Sequence, residues 1–168
     1  MPLQKAIDFM RETDLLAFEI AILESQPGMV MCSYNKVNGD WACENDYLLN
    51  QLLKKTWGFK GAVISDWNAT HSTAKAALAG LDAEQPGGPA ERARFGDALK
   101  KAVDEGEVPM SRVDDMVHRI LRTAFAAGVV DDPPLGVCAA EAGRLLASSL
   151  SWGAAKCSAA QTPALRPT

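Results

Sequence analysis

An aspartate and a tryptophan end a short apolar segment, Gly61-Ala-Val-Ile-Ser-Asp-Trp67. Val63 and Ile64 are β-branched and show no polar alternation, which is typical of a buried parallel strand. In α/β folds the residues just past the carboxyl end of a strand face the ligand. Asp66 therefore stands where a functional carboxylate is expected. The alternative is that Asp66 caps the amino end of the next helix, as aspartates commonly do.

The segments around Asp66 alternate between helical and strand spacing. They predict a helix at 3–25, a strand at 29–34, a helix at 45–57, the strand ending at Asp66, a helix opening at Thr70 or Ser72, a strand at 81–84, and helices at 95–105 and 111–128. Ser111 and Asp114 have the spacing of a capping box at the start of the last helix. This order predicts an α/β fold with parallel strands whose carboxyl ends meet at one edge.

Composition excludes two classes of function. The chain has 168 residues, is 48% hydrophobic and carries a net charge of −4, which is typical of a globular domain with a sizeable core. Its basic residues form no run, so we expect no nucleic-acid partner. No apolar stretch approaches the roughly 20 residues of a membrane span, so we expect no membrane partner. Residues 1–6 lack the pattern of a signal peptide, and localisation is left open.

The four cysteines and two histidines predict no metal site. None of the cysteines has the Cys-x-x-Cys spacing of a zinc or redox site. Cys32 and Cys43 either pair in an oxidising compartment or remain as two buried thiols. His71 is expected to be a surface or capping residue, and His118 belongs to an amphipathic helix. We therefore predict neither a metal nor a cofactor.

Three motifs follow one another in a specific order and spacing, and a helix closes the set. They are residues 30–39 (VMCSYNKVNG), 57–67 (WGFKGAVISDW) and 79–88 (AGLDAEQPGG), followed by 112–122 (RVDDMVHRILR). Together they closely resemble the β-glucosidase branch of glycoside hydrolase family 3. The resemblance covers residues 10–132 and implies the C-terminal portion of that family's first, barrel domain. We accordingly predict one domain at 1–132 and a poorly ordered or unrelated tail at 133–168.

The resemblance implies a partial (β/α)8 TIM-type barrel of about three strands, and an enzyme that hydrolyses terminal β-linked glucose with retention of configuration. Asp66 matches the family's nucleophile. Trp67 matches a wall of the same sugar subsite, and Tyr34 and Met31 match positions beside it. Tyr34 is expected to hydrogen-bond the nucleophile or the ring oxygen. A β-xylosidase or another exo-glycosidase of the family is the alternative.

The resemblance also implies groups that have no counterpart in this sequence. An aspartate and a Lys-His pair that hold sugar hydroxyls are expected ahead of residue 1, and the acid/base is expected from a later domain. We therefore expect this chain alone to be weakly active or inactive, with a small carbohydrate as its partner. Unclosed barrel faces are expected to favour self-association. A catalytically inactive fragment that binds sugar weakly or serves assembly is the second hypothesis.

Overall fold

The structure is a computed structural model that describes residues 3–89 and 92–130. The described α-helices are α1 (Leu3–Glu12), α2 (Leu16–Ser25), α3 (Ala74–Ala79), α4 (Asp97–Asp104) and α5 (Met110–Ala126). The described strands are β1 (Met29–Cys32), β2 (Lys36–Val37), β3 (Asp40–Trp41), β4 (Ala62–Trp67) and β5 (Ala83–Gln85). A 3₁₀ turn covers Ala42–Glu44, and a π-helix covers Tyr47–Thr56. None of these helices is long and apolar enough to cross a bilayer.

Strands β1, β4 and β5 form a parallel sheet with β4 in the centre. Met29 of β1 aligns with Ala62 of β4, and the register continues to Cys32 opposite Ser65. The π-helix lies in the connection from β1 to β4, and α3 lies in the connection from β4 to β5. These features confirm the predicted α/β class, with three parallel strands and flanking helices. Three strands are too few to close a barrel.

The first helical segment differs from the prediction, because residues 3–25 form two helices instead of one. Helix α1 ends at Glu12, and α2 begins at Leu16. At the break the hydroxyl of Thr13 donates a hydrogen bond of 2.7 Å to the carbonyl of Phe9. A threonine hydroxyl that bonds to the carbonyl four residues back commonly bends a helix. The prediction of a single helix is therefore wrong.

The apolar face predicted for this segment is largely uncovered. Only Ile22 of α2 is buried. The large apolar side chains of α1 and α2 that remain exposed are Phe9, Leu16, Phe18, Ile20 and Leu23. On the adjoining sheet edge Met29 and Met31 of β1 are exposed as well. Helices and sheets normally bury such faces against another layer, so these seven side chains are available for association.

A β-hairpin and a disulfide bond follow β1. Strands β2 and β3 pair antiparallel across Asn38 and Gly39, whose φ angles of 52° and 93° fit the mirror-image turns that hairpins favour. No strand was predicted between residues 34 and 45. Cys32 and Cys43 are joined, with their Cα atoms 5.2 Å apart. Of the two states left open for these cysteines, the structure contains the disulfide.

The π-helix supplies much of the core that lies against the sheet. Its buried side chains are Leu49, Leu52 and Leu53. They pack in one cluster with Val63 of β4. The N–H of Trp57 bonds to the carbonyl five residues back, and Gly58 follows with a φ of 67°. The predicted helix at 45–57 is confirmed, although it is of the wider π type, and Gly58 ends it.

Several predicted boundaries shift. Helix α3 begins at Ala74, after both predicted starting residues, and the last strand of the sheet is β5 rather than 81–84. The capping box at Ser111 is absent, because α5 follows Pro109 and has no side-chain cap bond. A proline at this place presets a φ compatible with the approach to a helix. The boundary at residue 132 and the tail at 133–168 lie outside the described residues.

Helix α5 binds the amino edge of the sheet, which is the edge where the three strands begin. Arg119 donates to two carbonyls at 3.0 and 3.1 Å, and Thr123 and Arg112 each donate to another at 2.8 Å. The acceptors are Gly28 before β1, Phe59 and Gly61 before β4, and Leu81 before β5. One helix thus satisfies carbonyls at the start of all three strands.

A buried carboxylate links this helix to the sheet and to the π-helix. Asp82 is 3% exposed, and its Oδ1 lies 2.8 Å from Lys54 Nζ and 2.7 Å from Arg112 Nη2. Its Oδ2 accepts the backbone N–H of Val63 at 2.8 Å. Lys54 also donates to the carbonyl of Gly80 at 2.6 Å. All three charged groups therefore have partners, as buried charges require.

Reduction of the disulfide should destabilise the fold. The bond between Cys32 and Cys43 spans 11 residues in sequence, which corresponds to about 3 kcal/mol of loop-closure entropy. We expect a phosphine reductant to lower the free energy of urea-induced unfolding by about this amount. Cys138 and Cys157 are replaced by alanine in all samples so that they cannot contribute. A reductant effect that persists in Cys32→Ala/Cys43→Ala would contradict the assignment.

Lys54 should make stability depend on pH. Burial lowers its pKa from 10.5 to about 8, although the hydrogen bond and negative charge of Asp82 oppose the shift. Between these two values the unfolded chain binds more protons than the folded chain, so stability rises with pH. Relative to Lys54→Met, we expect the free energy of unfolding to rise by about 3 kcal/mol across this window. Urea titrations measure it, with the exposed Lys55→Met as control. Parallel profiles for the chain and Lys54→Met would refute the assignment.

Candidate active site

Asp66 lies at the carboxyl end of β4, where its side chain is partly buried. Its Oδ1 accepts the N–H of Trp67 at 2.7 Å, and its carbonyl accepts the N–H of Ala69 at 3.1 Å. Helix α3 begins only at Ala74, with Thr73 as its N-cap residue, so Asp66 does not cap it.

Tyr34 interacts with Asp66 from the segment that follows β1. Cys32 of β1 aligns with Ser65 of β4, so the residues that follow them meet at one edge of the sheet. Desolvation, a hydrogen bond to the side chain of Asp66 and the negative charge of Asp66 all raise the pKa of Tyr34. A phenol held in its protonated form can donate to a carboxylate. The structure therefore brings Tyr34 and Asp66 together.

Trp67 and Met31 adjoin this pair and are open to solvent. The Trp67 side chain is 62% exposed and directly follows Asp66. Met31 is 60% exposed and aligns with Ile64, which precedes Asp66 by two residues. Met31 and Ile64 are paired neighbours in the parallel sheet, so their side chains share one face. Neither Trp67 nor Met31 is a core residue in this chain.

Strand β5 fixes the turn that carries Asp66. The hydroxyl of Ser65 accepts the N–H of Gln85 at 2.8 Å. The N–H of Asn68 donates to the carbonyl of the same residue at 3.0 Å. Asn68 has a φ of 58°, a left-handed conformation that asparagine adopts more readily than most residues. Both backbone groups of Gln85 are therefore bonded to residues that flank Asp66 and Trp67.

The hairpin and the loop after β4 are joined by a second set of contacts. The carboxylate of Glu44, which is 4% exposed, accepts the N–H of His71 at 2.7 Å. The ring of His71 stacks on Trp41 with 4.0 Å between centroids, and Lys36 Nζ lies 4.4 Å from the Trp41 ring. The predicted surface position of His71 is confirmed. Its contacts hold the loop that leaves Asp66.

Two cavities of about 390 and 610 Å³ are lined by residues other than Asp66. The smaller is lined by apolar residues that include Leu15, Phe18 and Val30, together with Met31. The larger lies near the amino edge of the sheet and includes Gly28. Neither is lined by Asp66, Tyr34 or Trp67. The candidate catalytic groups thus stand on an open surface rather than in either of these cavities.

Two other titratable side chains, Glu84 and His118, lie outside the group formed by Tyr34, Asp66 and Trp67. Glu84 Oε2 accepts the N–H of Phe95 at 2.6 Å, so this carboxylate anchors the segment after β5. His118 lies exposed on α5. Within residues 3–89 and 92–130, no group of three or more His, Cys, Asp or Glu side chains could hold a metal ion.

The sequence analysis missed Ser65 and Asn68, which hold the turn around Asp66. A hydroxyl beside a candidate carboxylate and an asparagine in a turn were visible signals. Each signal is weak alone, because serine and asparagine are common in turns for purely local reasons. Their shared partner, Gln85, is identified only by strand pairing.

Comparison with known proteins shows which sequences this chain resembles. Residues 2–123 match the sequence model of the glycosyl hydrolase family 3 N-terminal domain. The chain is 54% identical to "Probable beta-glucosidase L" of Emericella nidulans over 103 residues, which cover 59% of this chain and 14% of that protein. It is 50% identical to a β-glucosidase of Wickerhamomyces anomalus over 100 residues, which cover 60% of this chain and 12% of that protein.

Solved structures of the same family superpose on the fold. A family 3 β-glucosidase of Neurospora crassa matches with a TM-score of 0.68 and 42% identity, over 74% of this chain and 15% of that one. The β-D-glucoside glucohydrolase of Trichoderma reesei matches with a TM-score of 0.63 and 46% identity, over 68% and 16% of the two chains.

The matched part of these four relatives is small, at 12 to 16% of their length. Within that part, sequence and fold agree with one family and one of its domains. The chain belongs to glycosyl hydrolase family 3, and it corresponds to part of that family's N-terminal domain.

Proposed function

We propose that this chain supplies the nucleophile of a retaining, exo-acting β-glucosidase, and that Asp66 is that nucleophile. The observation that carries the proposal is the position of the Asp66 carboxylate at the carboxyl end of the central strand, in contact with Tyr34 and beside the exposed Trp67. The names of the relatives support β-linked glucose as the substrate.

The reaction follows from the chemistry of a fixed carboxylate. An Asp66 oxygen attacks the anomeric carbon of the terminal sugar, the bond to the leaving oxygen breaks, and a covalent glycosyl-aspartate ester forms. Water then attacks the same carbon, releases the sugar and restores the carboxylate. Two inversions give net retention. The N–H of Trp67 and the hydroxyl of Tyr34 hold the carboxylate in place, which favours a near-attack geometry.

Trp67 and Met31 are proposed to contact the sugar. The exposed indole of Trp67 offers a flat apolar face, which suits the C–H face of a pyranose. Met31 is aligned with Ile64, two residues before Asp66, and offers a flexible apolar contact. Both groups are solvent-exposed, so a sugar can reach them without displacing a core residue.

Departure of the leaving group needs a proton donor that we do not assign to any described residue. Loss of general-acid catalysis typically costs about 10²–10⁴ in rate. The sugar contacts that the family resemblance implies outside this sequence would add to that loss. We therefore propose that the isolated 168-residue chain is weakly active or inactive on ordinary glucosides.

The alternative within the enzyme class is a β-xylosidase or another exo-glycosidase of the family. A xylose unit lacks the hydroxymethyl group of glucose, so the two sugars are distinguished by contacts to that group. Rates on matched glucosides and xylosides of the same phenol compare the two substrates directly.

A second candidate function is a catalytically inactive fragment that serves sugar binding or assembly. The uncovered side chains of α1, α2 and β1 favour it, because they provide an apolar surface for self-association. Sedimentation over a range of protein concentrations measures that self-association. A monomer at every concentration would exclude the assembly role.

The leaving group should decide whether turnover is seen. The dinitrophenolate group of a dinitrophenyl β-glucoside can depart without a proton donor. We therefore expect the purified chain to release dinitrophenol slowly. A methyl β-glucoside should be slower by at least the roughly 10²–10⁴ expected from general-acid catalysis. The Asp66→Asn variant should reduce the dinitrophenyl rate to that of buffer.

Asp104→Asn is the matched control for this assay, because Asp104 is an exposed carboxylate paired with Lys100 on α4. We expect it to keep the full rate. Equal rates for the chain and Asp66→Asn would contradict the proposed nucleophile. The oligomeric state is recorded in the same samples, so that activity can be attributed to a monomer or to an assembly.

Trp67 should govern sugar binding. We expect gluconolactone to bind the chain weakly, and Trp67→Ala to weaken binding about two- to tenfold, because a stacking contact is worth about 0.5–1.5 kcal/mol. Isothermal titration measures both dissociation constants. Trp41→Ala serves as the control, since this indole stacks on His71 instead. Unchanged binding in Trp67→Ala would remove Trp67 from the proposed subsite.

A further inference from the structure

The strand that carries Asp66 contains a β-bulge. Ile64 aligns with Ala83 of β5, and Trp67 aligns with Gln85. Three steps along β4 thus correspond to two steps along β5, so Ser65 and Asp66 lie together opposite Glu84. A bulge bends its strand and changes the direction of the side chains within it. It therefore determines where Asp66 points.

A bulge also interrupts the hydrogen-bond ladder, and here a side chain repairs the gap. The N–H of Gln85 donates to the Ser65 hydroxyl at 2.8 Å. Ser65 is fully buried, at 0% exposure. Without this oxygen the Gln85 N–H would lose its partner in a partly buried setting, which is unfavourable. The hydroxyl thus stabilises the bulged geometry.

The other side of the bulge is held by the same strand. The N–H of Asn68 donates to the carbonyl of Gln85 at 3.0 Å, and the Asn68 side-chain amide lies 3.4 Å from the carbonyl of Gly87. Gly87 permits this approach, since a Cβ atom there would lie 2.5 Å from Asn68 Nδ2. The dipeptide of Asp66 and Trp67 is therefore clamped at both ends by β5 and the residues after it.

We propose that Ser65 is a positioning residue, whose hydroxyl holds the β4 bulge so that the Asp66 carboxylate is directed at Tyr34 and the sugar subsite. The inference rests on the proposed function for its catalytic meaning, but its geometric content can be measured without turnover. Ser65 touches neither the substrate nor the reacting atoms. It acts through the backbone that connects it to Asp66.

The ring of Tyr34 reports the direction of Asp66. Tyr34 and Tyr47 are the two tyrosines of the chain, so a Tyr47→Phe background leaves Tyr34 as the sole phenol. Ring ¹³C labelling and NMR then follow its titration. Asp66→Asn removes the negative charge, so the change in the Tyr34 pKa in this variant measures the full effect of Asp66. Since Asp66 raises the pKa of Tyr34, that variant should lower it.

We expect Ser65→Ala to lower the Tyr34 pKa by at least half of the Asp66→Asn shift, and Ser65→Thr, which keeps the hydroxyl, to restore it. Thr123→Val is the matched control. It removes another hydroxyl-to-backbone bond, of 2.8 Å to Gly28, at the opposite edge of the sheet. Even where Thr123→Val lowers the stability of the fold, it should leave the Tyr34 titration unchanged.

Three results would overturn the proposal. They are an unchanged Tyr34 titration in Ser65→Ala, an equal shift in Thr123→Val, and no shift in Asp66→Asn. Should Ser65→Ala fail to fold, Ser65→Cys takes its place, because sulfur is a weaker acceptor and an intermediate shift is expected. Failure of the glucoside assay leaves this titration unaffected, so failure of the proposed function and failure of this inference are distinguishable.

Discussion

The buried pairing of Asp82 with Arg112 and Lys54 is the interaction on which the rest of the fold depends. One carboxylate joins the π-helix, the central strand and α5 through Lys54, the Val63 N–H and Arg112. Removal of one partner of a buried ion pair typically costs about 3–5 kcal/mol, because the other charge is left uncompensated. Here, loss of Asp82 would leave two cations without their shared anion and one backbone N–H without its acceptor.

This arrangement assigns different roles to the two edges of the sheet. At the amino edge, the arginines and Thr123 of α5 occupy the carbonyls that precede all three strands. At the carboxyl edge, Tyr34, Asp66 and Trp67 remain accessible. The proposed nucleophile thus lies on the central strand of the sheet, and its surroundings are open to a substrate. Such a division matches the general placement of active sites in parallel α/β folds.

Local patterns predicted the parts of the structure that depend on neighbouring residues. The strand to Asp66, the helix before it and the glycine stop at Gly58 follow from apolar spacing and turn residues. The break at Thr13 was missed because apolar spacing continues across it. The Asp82–Arg112 bond joins residues 30 apart, and Ser65 meets Gln85 only through strand pairing. No local pattern encodes such partners.

The measurement that tests the central claim most directly is covalent trapping of the nucleophile. Fluorine next to the anomeric carbon destabilises both oxocarbenium-like transition states, and a dinitrophenyl leaving group speeds only the first step, so the glycosyl-enzyme accumulates. The account predicts one fluoroglucosyl group per chain, located by mass spectrometry on Asp66 and absent from Asp66→Asn. A label on another carboxylate, an equal label in the variant, or no label at all would contradict it.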